Sequence, residues 1–121
     1  MSKKIMLVDD AAFMRMMIKD TLQKNGYSEI VEAGNGEQAV NNYVTEKPDL
    51  ILMDITMPVM DGLEALRRLK EMDNNVKVVM CSAMGQESLV IDAVKSGAAD
   101  FIVKPFQNDR LLAAISRVIP N

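Results

Sequence analysis

The chain has 121 residues, 49% of them hydrophobic and 26% charged, which is typical of one compact globular domain rather than a disordered or fibrous protein. Fourteen basic residues against seventeen acidic ones give a net charge of −3, and no Lys or Arg run is long enough to follow a nucleic-acid backbone, so we expect no nucleic-acid binding. No apolar run approaches the ~20 residues of a membrane span and no signal-peptide core is present, so we expect a cytoplasmic protein without membrane contact.

Two residue counts exclude further classes of site. The chain has no histidine, which excludes Cys/His zinc sites, Ser-His-Asp triads and a histidine that could itself carry phosphate. The single Cys81 lies within an apolar run and cannot form an internal disulfide. We therefore expect Cys81 to be a small core residue in a reducing compartment.

Apolar runs alternate along the chain with segments of helical periodicity, a pattern typical of βα units and a parallel sheet. The predicted strands cover residues 5–8, 29–33, 50–54, 76–81 and 101–103. The five helices that alternate with them are marked by Met14, Met17, Ile18 and Leu22, by Ala39, Val40 and Tyr43, by Leu63, Leu66 and Leu69, by residues 86–96, and by Leu111, Leu112, Ile115, Val118 and Ile119. Gly26 and Gly97 are placed to end the first and fourth helices. We predict an α/β fold in a single domain over residues 1–121, with no output domain.

Polar residues stand directly after four of the apolar runs. They are three carboxylates, one hydroxyl and one ammonium: Asp9, Asp10, Asp54, Ser82 and Lys104. Ligands of an open parallel sheet bind at the carboxyl ends of the strands, so we expect these residues to form one site. Three neighbouring carboxylates repel one another unless a cation lies between them, and an oxygen-only donor set suits Mg²⁺. Because Lys104 adds a positive charge that a phosphate can bind, the pattern predicts a phosphate site with Mg²⁺.

Asp54 is the best candidate for a reacting carboxylate. It stands alone at the end of a central strand and leads into a loop, whereas Asp9 and Asp10 open a helix. Phosphate on Asp54 would form an acyl phosphate, a reaction that needs little beyond positioning and charge neutralisation by Mg²⁺ and Lys104. We expect a protein that promotes only its own phosphorylation and dephosphorylation rather than an enzyme with external substrates.

From residue 4 to about residue 119 the chain resembles the receiver domain of two-component response regulators. The resemblance is carried by Leu7-Val8-Asp9-Asp10, by residues 53–58 with Asp61-Gly62 behind them, and by Lys104-Pro105-Phe106. Residues 9–15 and 81–85 are most similar to the single-domain chemotaxis regulators of that family. The resemblance implies a flavodoxin-like, doubly wound (βα)5 fold, with a five-stranded parallel sheet of order 2-1-3-4-5 and helices on both faces.

The resemblance also implies a role for each site residue. Asp54 would accept phosphate from a histidine kinase, with Asp54, Lys104 and Ser82 as the catalytic residues. The Mg²⁺ ligands would be Asp10, Asp54 and the Thr56 carbonyl, with Asp9 acting through water. Ser82 and Lys104 would hold the phosphoryl oxygens.

Further positions of the family pattern concern switching and dephosphorylation. Phe101 matches an aromatic residue that is expected to turn inward as Ser82 moves toward the phosphate. The peptide bond before Pro105 resembles a cis bond of the family. Thr56 and Met84 occupy positions that influence phosphate hydrolysis, and neither is a carboxylate or a water activator, so we expect slow to moderate self-dephosphorylation.

Two apolar surfaces are expected to contact partners. The fourth helix has a wider apolar arc than a helix needs to pack on a sheet, formed by Leu89, Val90, Ile91, Ala93 and Val94. By resemblance, this helix with the fifth strand and helix would bind a target, the flagellar motor switch protein. Phe13 and Met16 lie off the core stripe of the first helix, where we expect a kinase or a phosphatase to dock. We expect a monomer.

Three other functions remain as alternatives. A phosphorelay intermediate would hand its phosphate to a second histidine phosphotransfer domain. A haloacid-dehalogenase-like aspartyl-phosphate phosphatase needs a general acid two residues after the nucleophile, where this chain has Thr56. A flavodoxin-type electron carrier shares the architecture, but the chain has no Ser/Thr-rich phosphate loop after its first strand, and three acids would repel a flavin phosphate.

Overall fold

Five parallel strands form one sheet, covered by helices on both faces. The computed structural model describes residues 3–120. The elements are β1 Lys4–Val8, α1 Ala12–Lys24, β2 Glu29–Ala33, α2 Gly36–Glu46, β3 Leu50–Asp54, α3 Gly62–Met72, β4 Val78–Ala83, α4 Glu87–Lys95, β5 Asp100–Lys104 and α5 Asn108–Val118. The strand order is β2-β1-β3-β4-β5, which confirms the predicted flavodoxin-like topology. Within residues 3–120, no helix has the length and apolar character needed to cross a bilayer.

The sheet separates two hydrophobic cores. Strand residues alternate between them, so that Met53 and Met80 face the core under α2, α3 and α4, whereas Leu52 and Cys81 face the core under α1 and α5. Because both faces of the central strands are buried, their sequences are continuous apolar runs rather than alternating ones. The location of Cys81 in a core confirms its predicted packing role.

The helices pack largely as their apolar stripes predict. Leu63, Leu66 and Leu69 of α3 are all buried. Gly26 and Gly97 follow the ends of α1 and α4 with φ values of +94° and +103°, the left-handed conformation expected of helix-ending glycines. The prediction for Met17 is wrong, since its side chain is 50% exposed. α1 packs on the sheet through Ile18 and Leu22, and Met17 precedes Ile18 by about 100° around the helix, which brings it to the rim.

The boundaries of β4 and β5 also differ from the prediction. β4 begins at Val78 and runs through Ser82 to Ala83, so Ser82 lies inside the strand rather than after it. The ladder continues this far because β5 pairs Ser82 with Val103 and Ala83 with Lys104. Lys104 is accordingly the last residue of β5, and the peptide bond that follows it is cis.

Candidate functional site

The predicted acids meet at the carboxyl edge of the sheet. Asp9 and Asp10 follow β1, and Asp54 is the last residue of the neighbouring strand β3. One carboxylate oxygen from each of the three lies within 4.8 Å of the others. The chain leaves β1 toward α1 on one face and leaves β3 toward α3 on the other, so a crevice opens between them, as at the switch point of a doubly wound sheet.

Lys104 bridges two of these acids. Its Nζ lies 3.0 Å from Asp9 Oδ2 and 3.1 Å from Asp54 Oδ2. The other Asp9 oxygen, Oδ1, accepts a 2.9 Å hydrogen bond from the backbone N–H of Ala11, at the turn into α1. Asp9 thus binds the Lys104 ammonium and stabilises the turn into α1, whereas Asp10 is exposed at the mouth of the crevice.

Arg15 is a positioning residue that the sequence analysis missed. Its guanidinium donates to the backbone carbonyl of Asp9 and forms an ion pair with Glu32 at 2.9 Å. These contacts link α1 to the ends of β1 and β2, and so fix the backbone that carries the acids. The chain pattern offers only a helical position for Arg15, and its partner Glu32 is 17 residues away.

Burial and charge together determine the protonation of the site. Burial raises the pKa of Asp54 above its ordinary value, and the Lys104 ammonium offsets only part of that effect. Burial lowers the pKa of Lys104, but the hydrogen bonds and charges of Asp9 and Asp54 outweigh it and leave that pKa raised. Lys104 is therefore protonated at neutral pH. The neighbouring Asp54 carboxyl binds its proton more strongly than an exposed aspartate does.

The thiol of Cys81 lies beneath this site but is not a candidate nucleophile. Cys81 is the ladder partner of Asp54 and faces the core under α1 and α5. Burial raises the pKa of its thiol to about 12, so the reactive thiolate is not populated at neutral pH.

Within residues 3–120, the other predicted site side chains form no hydrogen bond to the Asp54 carboxylate, whose side-chain partner is Lys104. Ser82 is 1% exposed and follows Cys81 on β4. Thr56 is exposed in the loop after β3, and its hydroxyl accepts a 2.8 Å hydrogen bond from Nε2 of Gln86. Phe101 is half-buried on β5, beside an apolar groove under α4. Gln86 is a second residue that the sequence analysis missed, because no periodicity links it to Thr56, 30 residues away.

Two apolar surfaces are exposed near the site, as predicted. On α4 the exposed side chains are Ile91 and Val94, at 54% and 52%, whereas Leu89 packs against the core. On α1, Phe13 and Met16 are 67% and 57% exposed.

The acid cluster fits a hard divalent cation. All three carboxylates offer oxygen donors, and one of them, Asp10, is exposed to solvent that could complete a coordination shell. Mg²⁺ prefers such a set, with few protein oxygens and several waters. The residues present are therefore compatible with Mg²⁺.

Comparison with known proteins decides the family. The sequence pattern described as the response regulator receiver domain matches residues 5–116, nearly the whole chain. The chain belongs to this family. Its paired acids after β1, its acid at the end of β3 and its lysine at the end of β5 all fall inside the matched range.

Among curated proteins, chemotaxis regulators are highly similar to this receiver domain. The chemotaxis protein CheY of Bacillus subtilis (strain 168) is 59% identical, with 98% of this chain and 99% of that protein aligned. The chemotaxis protein CheY of Thermotoga maritima is 52% identical, with 98% of each chain aligned. The sporulation initiation phosphotransferase F of Bacillus subtilis (strain 168) is 35% identical over 99% of this chain and 96% of that protein.

Solved receiver structures have the same fold. A crystal structure of a CheX–CheY–BeF3–Mg²⁺ complex from Borrelia burgdorferi contains a chain that is 36% identical, with a TM-score of 0.91 over 96% of this chain and 88% of that one. The response regulator domain of Thermotoga maritima CheB is 34% identical, with a TM-score of 0.88 over 98% of this chain and 96% of that one.

Proposed function

We propose that this receiver domain is a phosphorylation-controlled signalling switch that accepts a phosphoryl group from a histidine kinase on Asp54. The observation that carries the proposal is the position of Asp54 at the end of a central strand, with the Lys104 ammonium 3.1 Å from its Oδ2 and two further carboxylates beside it. This is a carboxylate nucleophile with charge neutralisation already in place.

The proposed reaction is a phosphoryl transfer. An Asp54 oxygen forms a bond to phosphorus while the bond from phosphorus to the histidine nitrogen of the donor breaks, and the electron pair stays on that nitrogen. Lys104 neutralises charge on the transferred oxygens, and Ser82 donates a hydrogen bond to one of them. Asp9, Asp10, Asp54 and the Thr56 carbonyl would hold Mg²⁺, which supplies further charge neutralisation at the phosphoryl oxygens. In this reaction the protein modifies only itself.

A small phosphodonor tests the proposal. The protein is incubated with acetyl phosphate with and without Mg²⁺, and the added mass is mapped by peptide mass spectrometry. We expect one phosphoryl group on Asp54 that requires the metal. Labelling that persists in Asp54→Asn, or that does not need Mg²⁺, would contradict the mechanism.

The proposed output is protein contact through α4, β5 and α5, with the flagellar motor switch protein as the target. The support is the exposed pair Ile91 and Val94 beside the groove that contains Phe101, together with the similarity to chemotaxis regulators. Phosphorylation needs to change the free-energy difference between two conformations of this surface by only a few kcal/mol to alter its affinity for the target.

Phe13 and Met16 form the proposed docking surface for the kinase or a phosphatase. They lie on the first two turns of α1, which begins three residues after Asp9, so a partner seated on them reaches the crevice. We expect Phe13→Ala to slow phosphotransfer or phosphatase-assisted decay. Val44→Ala, at a similarly exposed position on α2, should change neither rate.

The lifetime of the phosphate is proposed to be moderate to long. Met84 is 78% exposed, and neither its thioether nor the Thr56 hydroxyl is a base that could activate an attacking water. Met84→Glu would supply a carboxylate at this position. An unchanged decay rate of the phosphorylated variant would count against this proposal.

A phosphorelay intermediate is the second candidate function. It is favoured by one observation, the 35% identity to the sporulation initiation phosphotransferase F. The two functions differ in what the phosphorylated protein does next. Binding to the motor switch protein supports the chemotaxis function, whereas rapid transfer of the label to a histidine phosphotransfer domain supports the relay.

A further inference from the structure

One side chain, Gln86, joins the two loops that flank Asp54. Its Nε2 donates to Thr56 Oγ1 at 2.8 Å, and its Oε1 accepts from the backbone N–H of Ala83 at 2.6 Å. Gln86 directly precedes α4, and its carboxamide makes no capping bond to that helix. Since Thr56 lies in the loop after β3 and Ala83 ends β4, the carboxamide spans the gap between these two strand ends.

The Ala83 N–H faces the end of β3 because of the strand register. Asp54 pairs with Cys81, and the Ile55 N–H donates to the Cys81 carbonyl at 3.1 Å. The next rung of a parallel ladder would run from Ala83 N–H to the Ile55 carbonyl. That carbonyl instead accepts from Gly62 N–H at 2.6 Å, at the start of α3. Gln86 Oε1 therefore takes the position of the missing ladder acceptor.

A phosphoryl group on Asp54 would bring charged oxygens to this same strand end. A hydrogen bond from a backbone N–H to an anionic oxygen is roughly twice as strong as one to a neutral carboxamide. The Ala83 N–H would then exchange its bond to Gln86 for a bond to the phosphoryl group. The loop between β4 and α4 would lose its tie to Thr56 in the same step.

We propose that Gln86 is a positioning residue whose two hydrogen bonds, to Thr56 and to Ala83, hold these loops in their unphosphorylated arrangement. We call this pair of bonds the latch. In the latch, Gln86 competes with a phosphoryl group on Asp54 for the Ala83 N–H. This proposal rests on the proposed function of Asp54. The latch opposes the phosphorylated form, so its removal strengthens the binding of a phosphoryl group or its analogue. Its release also frees the loop that leads into α4, which carries the exposed Ile91 and Val94.

The test compares Gln86→Ala with a matched control, Gln107→Ala. Gln107 also directly precedes a helix, α5, and its side chain makes no capping bond. The first measurement is hydrogen exchange of the Ala83 amide by NMR without any ligand. The second is the affinity for beryllofluoride, a phosphoryl analogue, in the presence of Mg²⁺. We expect Gln86→Ala to speed exchange about 5-fold and to tighten beryllofluoride binding by a similar factor, the effect of one neutral hydrogen bond. Gln107→Ala should change neither.

The two measurements separate the possible failures. Unchanged exchange of the Ala83 amide in Gln86→Ala would overturn the latch. Faster exchange with unchanged or weaker beryllofluoride affinity would overturn the competition. A wild-type protein that binds no beryllofluoride would contradict the proposed function and the competition together, while the exchange measurement, which needs no ligand, would still decide whether the latch exists.

Discussion

The ammonium of Lys104 lies within ion-pair distance of both Asp9 and Asp54. Asp9 is 5% exposed, and in the part of the chain that the structure describes its carboxylate oxygens bind this ammonium and the Ala11 N–H. A buried carboxylate that loses its counter-ion costs more free energy than the ion pair itself contributes. Lys104 therefore stabilises the folded site in addition to its proposed role in phosphoryl transfer.

We predict that Lys104→Ala lowers the free energy of unfolding by about 2 kcal/mol at pH 7, less than the loss of a fully buried partner because the crevice admits water. The measurement is urea unfolding followed by circular dichroism. Lys77→Ala, which removes an exposed lysine, serves as the control and should stay within about 0.5 kcal/mol of the wild type. Equal stability of the two variants would mean that Asp9 does not depend on Lys104.

Ionised Asp54 lowers the stability of the folded protein, whereas Lys104 raises it. Because its pKa is raised in the folded protein, its ionised form is less favourable there than in the unfolded chain. We predict that Asp54→Asn raises Tm by a few degrees at pH 7. The gain should shrink as the pH falls through the folded pKa toward the ordinary value of about 3.9, since Asp54 then becomes neutral in both states.

Thermal unfolding of wild type and Asp54→Asn across this pH range provides the measurement. Asp20→Asn is the control, because the Asp20 side chain is 62% exposed and its ion pair among residues 3–120 is with Lys24 on the surface of α1. That variant should show no gain. A Tm of Asp54→Asn below that of the wild type at pH 7 would show that the bond to Lys104 outweighs the burial of Asp54.

Among the elements, the junction of β3 with α3 fixes the backbone behind Asp54. Gly62 begins α3, and its N–H donates to the Ile55 carbonyl. A Cβ on Gly62 would overlap the backbone oxygen of Asp54 and press on the Met80 side chain. Asp61 caps the same helix through its Oδ1, which accepts from Glu64 N–H at 2.9 Å. The Asp61-Gly62 pair thus allows a helix to start in direct contact with the acceptor strand.

We predict that Gly62→Ala lowers the free energy of unfolding by about 2 kcal/mol, although Ala is favoured over Gly in a helix by up to about 1 kcal/mol. Gly34→Ala is the control, since the nearest atoms to a Cβ there belong to the flexible Gln38 side chain, at 3.5 Å or more. Chemical denaturation measures both. A neutral or stabilising Gly62→Ala would show that the junction can relax.

The exposed face of α4 is part of the surface proposed to bind the target protein. Ile91→Ser removes half-exposed apolar surface at little cost to the core, and we expect it to weaken binding of the phosphorylated protein to the motor switch protein about tenfold. Phosphorylation of Asp54 should be unaffected. Val44→Ser, on the exposed face of α2, is the control. Equal target affinity of the two variants would place the output surface elsewhere.

For the molecule as a whole, the sequence predicted more of the fold than of the geometry of the site. Continuous apolar runs identify buried parallel strands, because both faces of the sheet are covered. They do not identify where a strand ends, since pairing with β5 extends β4 to Ser82 and Ala83 beyond its apolar run. Met17 shows the same limit, because a stripe of four apolar residues is wider than the contact that α1 makes.

The acids and Lys104 could be predicted because each lies at or next to a strand end, where topology alone brings them together. Gln86 and Arg15 could not, because their side chains reach residues that only the tertiary fold makes neighbours. Positioning residues of this kind leave no periodic signal in the chain. They nevertheless link α1 to the ends of β1 and β2, and the loop after β3 to the end of β4.

Phosphoryl transfer from a kinase measures whether Asp54 is the acceptor. A histidine kinase carrying radiolabelled phosphate is mixed with the wild type, with Asp54→Asn and with Asp61→Asn, an acid in the next loop, each with and without Mg²⁺. We expect the label to move to the wild type and to Asp61→Asn in the presence of Mg²⁺, and to neither protein without it. Label on Asp54→Asn equal to that on the wild type would show that Asp54 is not the phosphoryl acceptor.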